Sequence, residues 1–329
     1  MNDVWKDKRV LITGGLGFVG STLALALVDR GARVTILDNL AAHQGGNRFN
    51  ISPIKKDVDV VIGDIRDAEL IGRLVKRKDY IFHLARQTDH ILSFTDPFLD
   101  VDVNIRGTLV LLEACKRYNR DVRFIYTGTR GQYGKAVILP APEDAPTNPK
   151  GIYEITNLTA EKIIQVYHSA HGIRSILLRL TNIYGPRSQM KHDHYGVVNW
   201  FVRLALDNDV IPVFGDGTLV RDFLYIDDAV SALLGSAETD ACYGEILNVG
   251  RPTGETFLRL IRSIVRISGS GSYEFRPFTR ERLLQEPGNF TSDIHKIKRR
   301  TGWKPTTSLS TGLRKTIEYY KEYKREYWQ

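Results

Sequence analysis

The chain predicts an α/β fold built on a doubly wound parallel sheet, and three observations predict it. Apolar runs alternate with helical patterns through the first half. The first two runs enclose a glycine-rich turn, Gly14-Gly15-Leu16-Gly17-Phe18-Val19-Gly20. The second run ends on a carboxylate, Asp38. Alternation of this kind covers a parallel sheet with helices on both faces, so its strands read as continuous apolar runs.

Taken in order, residues 9–13 form the first strand, ending in Val10-Leu11-Ile12-Thr13. Gly14 lets the chain turn sharply, Gly17 lets backbone approach a pyrophosphate, and Gly20 lets a helix over 18–30 pack closely on the strand. That helix opens with Phe18 and Val19 and offers free N–H groups and a positive dipole end to phosphates. Residues 33–37 form the second strand, closed by Asp38 and Asn39. Strand, glycine turn, helix, strand and carboxylate together make a dinucleotide site of the Rossmann kind. Asp38 accepts hydrogen bonds from the adenosine ribose and repels a 2′-phosphate. No Arg or Lys follows until Arg48, so NAD is favoured over NADP.

Further strands are expected over 58–62, 80–84, 122–126 and 175–179, with helices over 67–76, 97–118 and 153–171. The second half is less regular, with a Pro/Gly-bearing loop at Tyr184-Gly185-Pro186 and helices around 196–207, 227–237, 255–267, 293–300 and 309–327. These pieces predict a Rossmann domain over 1–180 and a smaller α/β substrate lobe over 181–329. Segments near 220–250 are expected to return to the main sheet or its edge. The lobe would sit over the carboxyl ends of the strands, where such sheets bind ligands.

Composition narrows the function classes. The 329 residues carry a formal charge of +8, which suits an anionic substrate, but the basic residues are scattered. The densest run, Lys296-Ile297-Lys298-Arg299-Arg300, reads as a solvated helix face. Without a continuous stripe or reader motif, no nucleic-acid partner is expected. Cys115 and Cys242 are the only cysteines and build neither a disulfide framework nor a metal site. Cys115 reads as a small buried hydrophobe. No run is long enough for a membrane span, and the expected location is the cytoplasm.

Beyond the glycine turn the chain carries Gly63-Asp64-Ile65-Arg66-Asp67, His83-Leu84-Ala85, Asn104-Ile105-Arg106-Gly107-Thr108 and Tyr126-Thr127-Gly128-Thr129. It continues with Tyr153, Glu161-Lys162, Leu178-Arg179-Leu180-Thr181-Asn182-Ile183-Tyr184-Gly185-Pro186, Phe214-Gly215-Asp216-Gly217, Arg221-Asp222-Phe223-Leu224-Tyr225-Ile226-Asp227-Asp228 and Asn248-Val249-Gly250. On these motifs nearly the whole chain resembles the NAD-dependent epimerase/dehydratase family of extended short-chain dehydrogenases, most closely its UDP-glucose 4-epimerase-like members. The resemblance implies that Asp64 and Ile65 meet the adenine, that Leu84 and Ala85 line the cofactor channel, and that Asn104 holds sheet and helix in register. His83 reads as a satisfied strand-end residue and Tyr133 as structural.

The resemblance makes Thr129 and Tyr153 the reacting pair. A phenol takes the proton of a sugar hydroxyl while its carbon gives up hydride, and a neighbouring hydroxyl orients or relays it. The family pattern Tyr-x-x-x-Lys is broken here, because the chain reads Tyr153-Glu154-Ile155-Thr156-Asn157. Asn157 lies one helical turn from Tyr153 on the same face. It can bond the nicotinamide ribose but cannot supply the charge. A cation ~4 Å away at an effective dielectric of ~20 is worth roughly 4 kcal/mol, about three pK units. Lys162 lies on another side of the helix. Lys150 and Arg130 are the loop candidates for a replacement cation, and the nicotinium ring itself also favours phenolate.

The resemblance also implies substrate contacts. Arg221, with Arg282 second, is assigned to a diphosphate, as its forked donors suit. Asn182 is assigned to the diphosphate or sugar. Val213 and Phe214 read either as a base-packing surface or as core. Thr88 and His90 lie in the loop where the family meets the sugar, His90 reading either as a donor or as polar surface. Arg130, read either as a contact to an acidic or hydroxyl-rich sugar or as a surface salt bridge, replaces the first acid of the Thr-Asp-Glu triplet that resembles the 4,6-dehydratases, and the glutamate of the related decarboxylases is also missing. The implied reaction is therefore NAD-dependent 4-epimerisation of a nucleotide-diphosphate sugar through a transient 4-keto sugar. Another oxidoreductase or epimerase of the family, or a weakly catalytic binding protein, stays open because of Asn157. No metal is implied. A homodimer is implied, joined through the helices near 97–118 and 153–171.

Overall fold

A computed structural model describes residues 4–42, 44–278, 286 and 288–328. In chain order the first half holds β1 (Arg9–Thr13), α1 (Phe18–Asp29), β2 (Arg33–Asp38), β3 (Val58–Ile62), α2 (Ala68–Leu74), β4 (Tyr80–His83), α3 (His90–Thr95), α4 (Pro97–Asp100), α5 (Gly107–Tyr118), β5 (Arg123–Thr129), α6 (Ile152–His171) and β6 (Ser175–Leu180). The second holds β7 (Asn182–Tyr184), α7 (Val197–Leu206), β8 (Val210–Phe214), β9 (Val220–Arg221), β10 (Phe223–Tyr225), α8 (Ile226–Glu238), β11 (Ile246–Val249), β12 (Glu255–Thr256), α9 (Phe257–Ser268) and β13 (Ser272–Arg276). Helices His295–Thr301 and Leu309–Glu322 follow.

Seven strands form one sheet in the order β11-β6-β5-β4-β1-β2-β3, and every neighbouring pair is parallel. Successive side chains of β1 enter opposite cores: Val10 and Ile12 join one cluster, Leu11 the other. Burial on both faces is what produced the unbroken apolar runs. All six expected strands form. β5 runs further than expected, to Thr129, because Thr127, Gly128 and Thr129 continue to pair with Leu178, Arg179 and Leu180 of β6.

The helical pattern over 97–118 is interrupted. Between α4 and α5, residues Val101–Arg106 wind as a π-helix. Asn104 sits in that wide turn and is buried. The segment near 220–250 divides: β11 forms the sheet edge beside β6, whereas β9 pairs with β12 and β10 with β7 in two-stranded sheets. β8 pairs in parallel with β13. α9 buries Leu260, Ile261 and Ile264 and turns Arg262 and Arg266 outward, an amphipathic stripe of 3.6-residue period. The basic run near 296–300 behaves as a surface face, with Lys296 and Arg300 paired to Glu245. Cys115 is fully buried. Among the described residues no helix is long and apolar enough to cross a membrane.

Candidate active site

The strand order reverses between β1 and β4, and there a cavity of about 430 Å³ opens at their carboxyl ends. Gly14, Gly17, Phe18, Val19, Gly20, Asp38, Asn39, Asp64, Ile65, Leu84 and Ala85 all line it. Gly14 has φ of +71°, and a Cβ there would stand 2.8 Å from the Ala85 nitrogen. A Cβ at Gly20 would stand 2.2 Å from the Gly14 carbonyl oxygen. Both glycines are thus required by backbone packed on backbone. Gly17 caps α1 with no side-chain hydrogen bond, which leaves the first-turn N–H groups open to an anion.

Asp38 accepts hydrogen bonds from the Leu16 N–H (3.0 Å) and the Leu40 N–H (2.9 Å). Burial raises its pKa, and these two donors oppose the rise. A carboxylate has about four acceptor positions, so two remain for ribose hydroxyls. Asp64 is gripped by the Arg66 fork at 2.8 Å to each oxygen and by the Asn39 amide at 3.2 Å. The Arg66 hydrogen bonds hold it down at about 2, against the opposing effect of burial. The glycine cradle, the open helix start and the buried Asp38 suit an NAD and oppose a 2′-phosphate.

His83 anchors the cradle from below. Its Nδ1 lies 2.8 Å from Thr13 Oγ1, and its Nε2 lies 3.0 Å from Thr108 Oγ1. Thr108 donates to the Asn104 carbonyl at 2.6 Å, so it accepts from His83. Thr13 Oγ1 accepts the Leu84 and Ala85 N–H groups, each at 3.2 Å, so it donates to His83. The network therefore fixes the neutral Nε2–H tautomer. Burial first, and the Arg86 charge second, lower its pKa to about 3.

Tyr153 stands in the first turn of α6 and lines the cavity together with Thr129 at the end of β5. Thr129 Oγ1 accepts the Gly131 N–H at 3.1 Å, and Gln132 Oε1 caps the Thr129 N–H at 2.8 Å. The threonine O–H is left to donate into the cavity. Gln132 in turn donates to Glu161 at 2.7 Å, and Arg179 grips Glu161 with two bonds of 2.9 and 2.7 Å. This buried pair braces α6 against β6 and, through Gln132, the Thr129 turn. Asn104 accepts the Gln87 N–H at 3.0 Å and donates to Thr156 at 3.1 Å, tying the loop after β4 to α6.

Asn157 is fully buried and does not line the cavity. Its Nδ2 donates to the Tyr153 carbonyl at 2.7 Å, and its Oδ1 accepts from Arg86 Nη1 at 2.6 Å. The amide, expected at the nicotinamide ribose, thus sits behind the cavity wall with its oxygen and one N–H bonded inside the protein. Neither expected replacement cation faces the tyrosine. Lys150 is exposed and bonds the Glu286 carbonyl at 3.4 Å. Arg130 bonds Asn182 Oδ1 at 2.7 Å. Among the described residues the cation acting on Tyr153 is Arg86, which sequence reasoning missed. Its only signal was position, in the loop just past a central strand end. His90 also gains a place: its ring meets Tyr153 edge-on with centroids 4.6 Å apart, and its Nδ1 lies 3.1 Å from Glu154.

Of the expected substrate residues, Thr88 lines the cavity and donates to Gln44 at 3.0 Å. Arg130 and Asn182 pair with each other outside the cavity lining. Burial, then repulsion from Arg221, lowers the Arg130 pKa to about 10. Arg221 is buried, bonds Glu286 and the Gly288 carbonyl, and does not line the cavity. Val213 is core, and Phe214 is half-buried and packs on Phe278 with centroids 5.8 Å apart. Arg282 lies outside the described residues. Asp89, His192 and His194 bring three donor atoms within 4.8 Å of one another. Asp89 already caps α3 through the Ile91 and Leu92 N–H groups and meets His194 at 2.6 Å, so the group tethers the loop before α7 to α3.

Similarity to known proteins agrees with this geometry. The UDP-glucose 4-epimerase of Mycolicibacterium smegmatis is 33% identical over 323 residues, covering 95% of this chain and 98% of that protein. A dTDP-glucose 4,6-dehydratase of Streptomyces niveus is 30% identical over 336 residues, covering 98% and 95%. The crystal structure of Thermotoga maritima UDP-glucose 4-epimerase with UDP-glucose superimposes with a TM-score of 0.87 at 32% identity, covering 96% of this chain and 99% of that one. With a nucleotide cradle at the strand-order reversal, a tyrosine in its wall, and residues 10–250 matching the family model, the chain belongs to the NAD-dependent epimerase/dehydratase family.

Proposed function

We propose that the protein is an NAD-dependent nucleotide-sugar 4-epimerase. The observation that carries this reading is the make-up of the wall around Tyr153. The proton acceptor and a donor hydroxyl, Thr129, share one cavity with the nucleotide cradle, and the residues after Thr129 are Arg130 and Gly131 rather than a pair of acids. Among the described residues, the carboxyl that acts most strongly on Tyr153 is Glu154. Burial raises its pKa, but the hydrogen bond and charge of His90 lower it further, so the net shift is downward. Glu154 is thus a carboxylate committed to His90, not an acid ready to expel water.

The glycine turn and the α1 start would hold the NAD pyrophosphate, Asp38 the adenosine ribose, and Asp64 with Ile65 the adenine. Bound NAD supplies a site that takes a hydride and gives it back. Tyr153 accepts the proton of the sugar C4 hydroxyl, and the Thr129 O–H orients the oxygen that becomes the ketone. The 4-keto sugar turns over within the cavity, and Tyr153 returns the proton to the new hydroxyl. We assign the diphosphate to Arg221, with Arg130 and Asn182 beside it, a contact that requires Arg221 to exchange its bond to Glu286. Phe98, Ile155 and Val166 expose apolar surface on α4 and α6, and we assign that surface to a homodimer interface.

The test is a panel of nucleotide sugars incubated with holoenzyme, with products identified by NMR and reduced cofactor followed by absorbance. The C4 epimer should form without net NADH. Net NADH, or a 4-keto-6-deoxy product, refutes the assignment.

A further inference from the structure

A buried phenol is a poor base. Desolvation raises the Tyr153 pKa above its usual range, and a facing cation is what lowers it. The charged and titratable groups around the ring come from every packed element. α6 contributes Glu154 and α4 contributes Asp100, both of which disfavour phenolate. α3 contributes His90 at the ring edge, and β5 contributes Tyr126. The loop after β4 contributes Arg86.

Arg86 is held in a specific way. Its Nη1 donates to Asn157 Oδ1 at 2.6 Å, and its guanidinium carbon stands 4.7 Å over the Tyr126 ring. Its Nη2 is buried and meets no hydrogen-bond acceptor at ordinary distance. Unpaired buried donors are costly, so this one is poised for a partner that arrives or ionises. Asn157 is also explained. A lysine there would bring two cations into contact in a buried site, whereas an amide oxygen accepts from the guanidinium. Position 157 and position 86 thus fit as a pair.

We propose that Arg86, held by Asn157, supplies the cationic partner of Tyr153, so that the charge reaches the phenol from the β4 loop instead of from α6. The inference rests on the reading of Tyr153 as proton acceptor. Asn157 is then a positioning residue for Arg86, and Arg86 Nη2 is the donor that meets the phenolate as it forms.

The test places a fluorotyrosine at position 153 in the NAD-bound protein and follows its ionisation by fluorine NMR. Four backgrounds are compared: wild type, Arg86→Met, Arg86→Lys, and Arg86→Met with Asn157→Lys. Arg86→Met should move the ionisation up by at least about one pH unit, a tenfold loss of phenolate at a given pH below the pKa. Arg86→Lys should hold it near the wild-type position. The double variant should bring it back down, because a cation is restored one helical turn from the phenol. Where Arg86→Met does not fold, Arg86→Gln, which keeps a donor for Asn157, carries the same expectation. An unmoved ionisation in a folded, NAD-bound neutral variant overturns the proposal. The pH limb of kcat/KM should follow the same order in any sugar nucleotide that turns over. A shifted ionisation without turnover of any sugar nucleotide upholds the role of Arg86 and counts against the epimerase reading. Turnover lost in Tyr153→Phe, with the ionisation indifferent to Arg86, does the reverse.

Discussion

Acid should loosen the nucleotide cradle through one residue, His83. Its ring is 1% exposed and sits between two hydroxyls whose other bonds dictate a neutral imidazole. Protonation would set an Nδ1–H against Thr13 Oγ1, which already accepts two backbone N–H groups from the loop that packs on Gly14. The folded pKa is about 3, against about 6.5 in an unfolded chain. The folded state therefore binds fewer protons, and its stabilisation is complete above pH ~6.5 and lost as the pH falls toward ~3. At pH ~5 the unfolded ensemble gains about 2 kcal/mol from charging this histidine, a value that barely changes for any folded pKa below ~4. Urea unfolding at pH ~7 and ~5, for wild type and His83→Gln, isolates the effect as a difference of differences. Wild type should lose about 2 kcal/mol more than the variant between the two pH values. Equal losses would refute the neutral-tautomer argument.

Other expectations follow from the same geometry. A 2′-phosphate placed ~5 Å from Asp38 meets about 3 kcal/mol of repulsion per unit charge at an effective dielectric of ~20, so titration should show NAD binding at least about a hundredfold tighter than NADP, and Asp38→Asn should narrow the gap. Glu161→Gln strands the buried Arg179 guanidinium and should cost about 3 kcal/mol in urea unfolding; a loss below about 1 kcal/mol would show that Arg179 finds another partner. Light scattering at micromolar concentration should find a dimer, and Phe98→Arg should return it to monomers; a monomeric wild type contradicts the assigned interface.

The sequence is most legible where one residue type has one physical use. Gly14 and Gly20 are demanded by backbone contact, Asp38 by its place at a strand end, and five of the six strands, all but the edge strand β3, by burial on both faces. Legibility fails where a role depends on a partner far along the chain. Arg86 lies 71 residues from Asn157, and neither residue alone announces the other. Glu161 and Arg179 looked like motif letters until the fold closed them on Gln132. The π-helical turn around Asn104 is hidden because its residues keep a helical composition. The two-stranded pairings of β9 with β12 and β7 with β10 are too short to carry a periodic signal. Val213 belongs to the core because β8 pairs with β13, a partnership set by a strand about sixty residues later.

The central claim is that one carbon of a bound sugar is oxidised and then reduced in place, with Tyr153 handling the proton. The most direct measurement uses the sugar nucleotide that turns over, carrying deuterium at C4, and reads its position in the product by NMR. The account predicts that the deuterium stays at C4 of the inverted sugar and that Tyr153→Phe stops the conversion while binding persists. Solvent-derived hydrogen at C4, or deuterium transferred to C6, would contradict it.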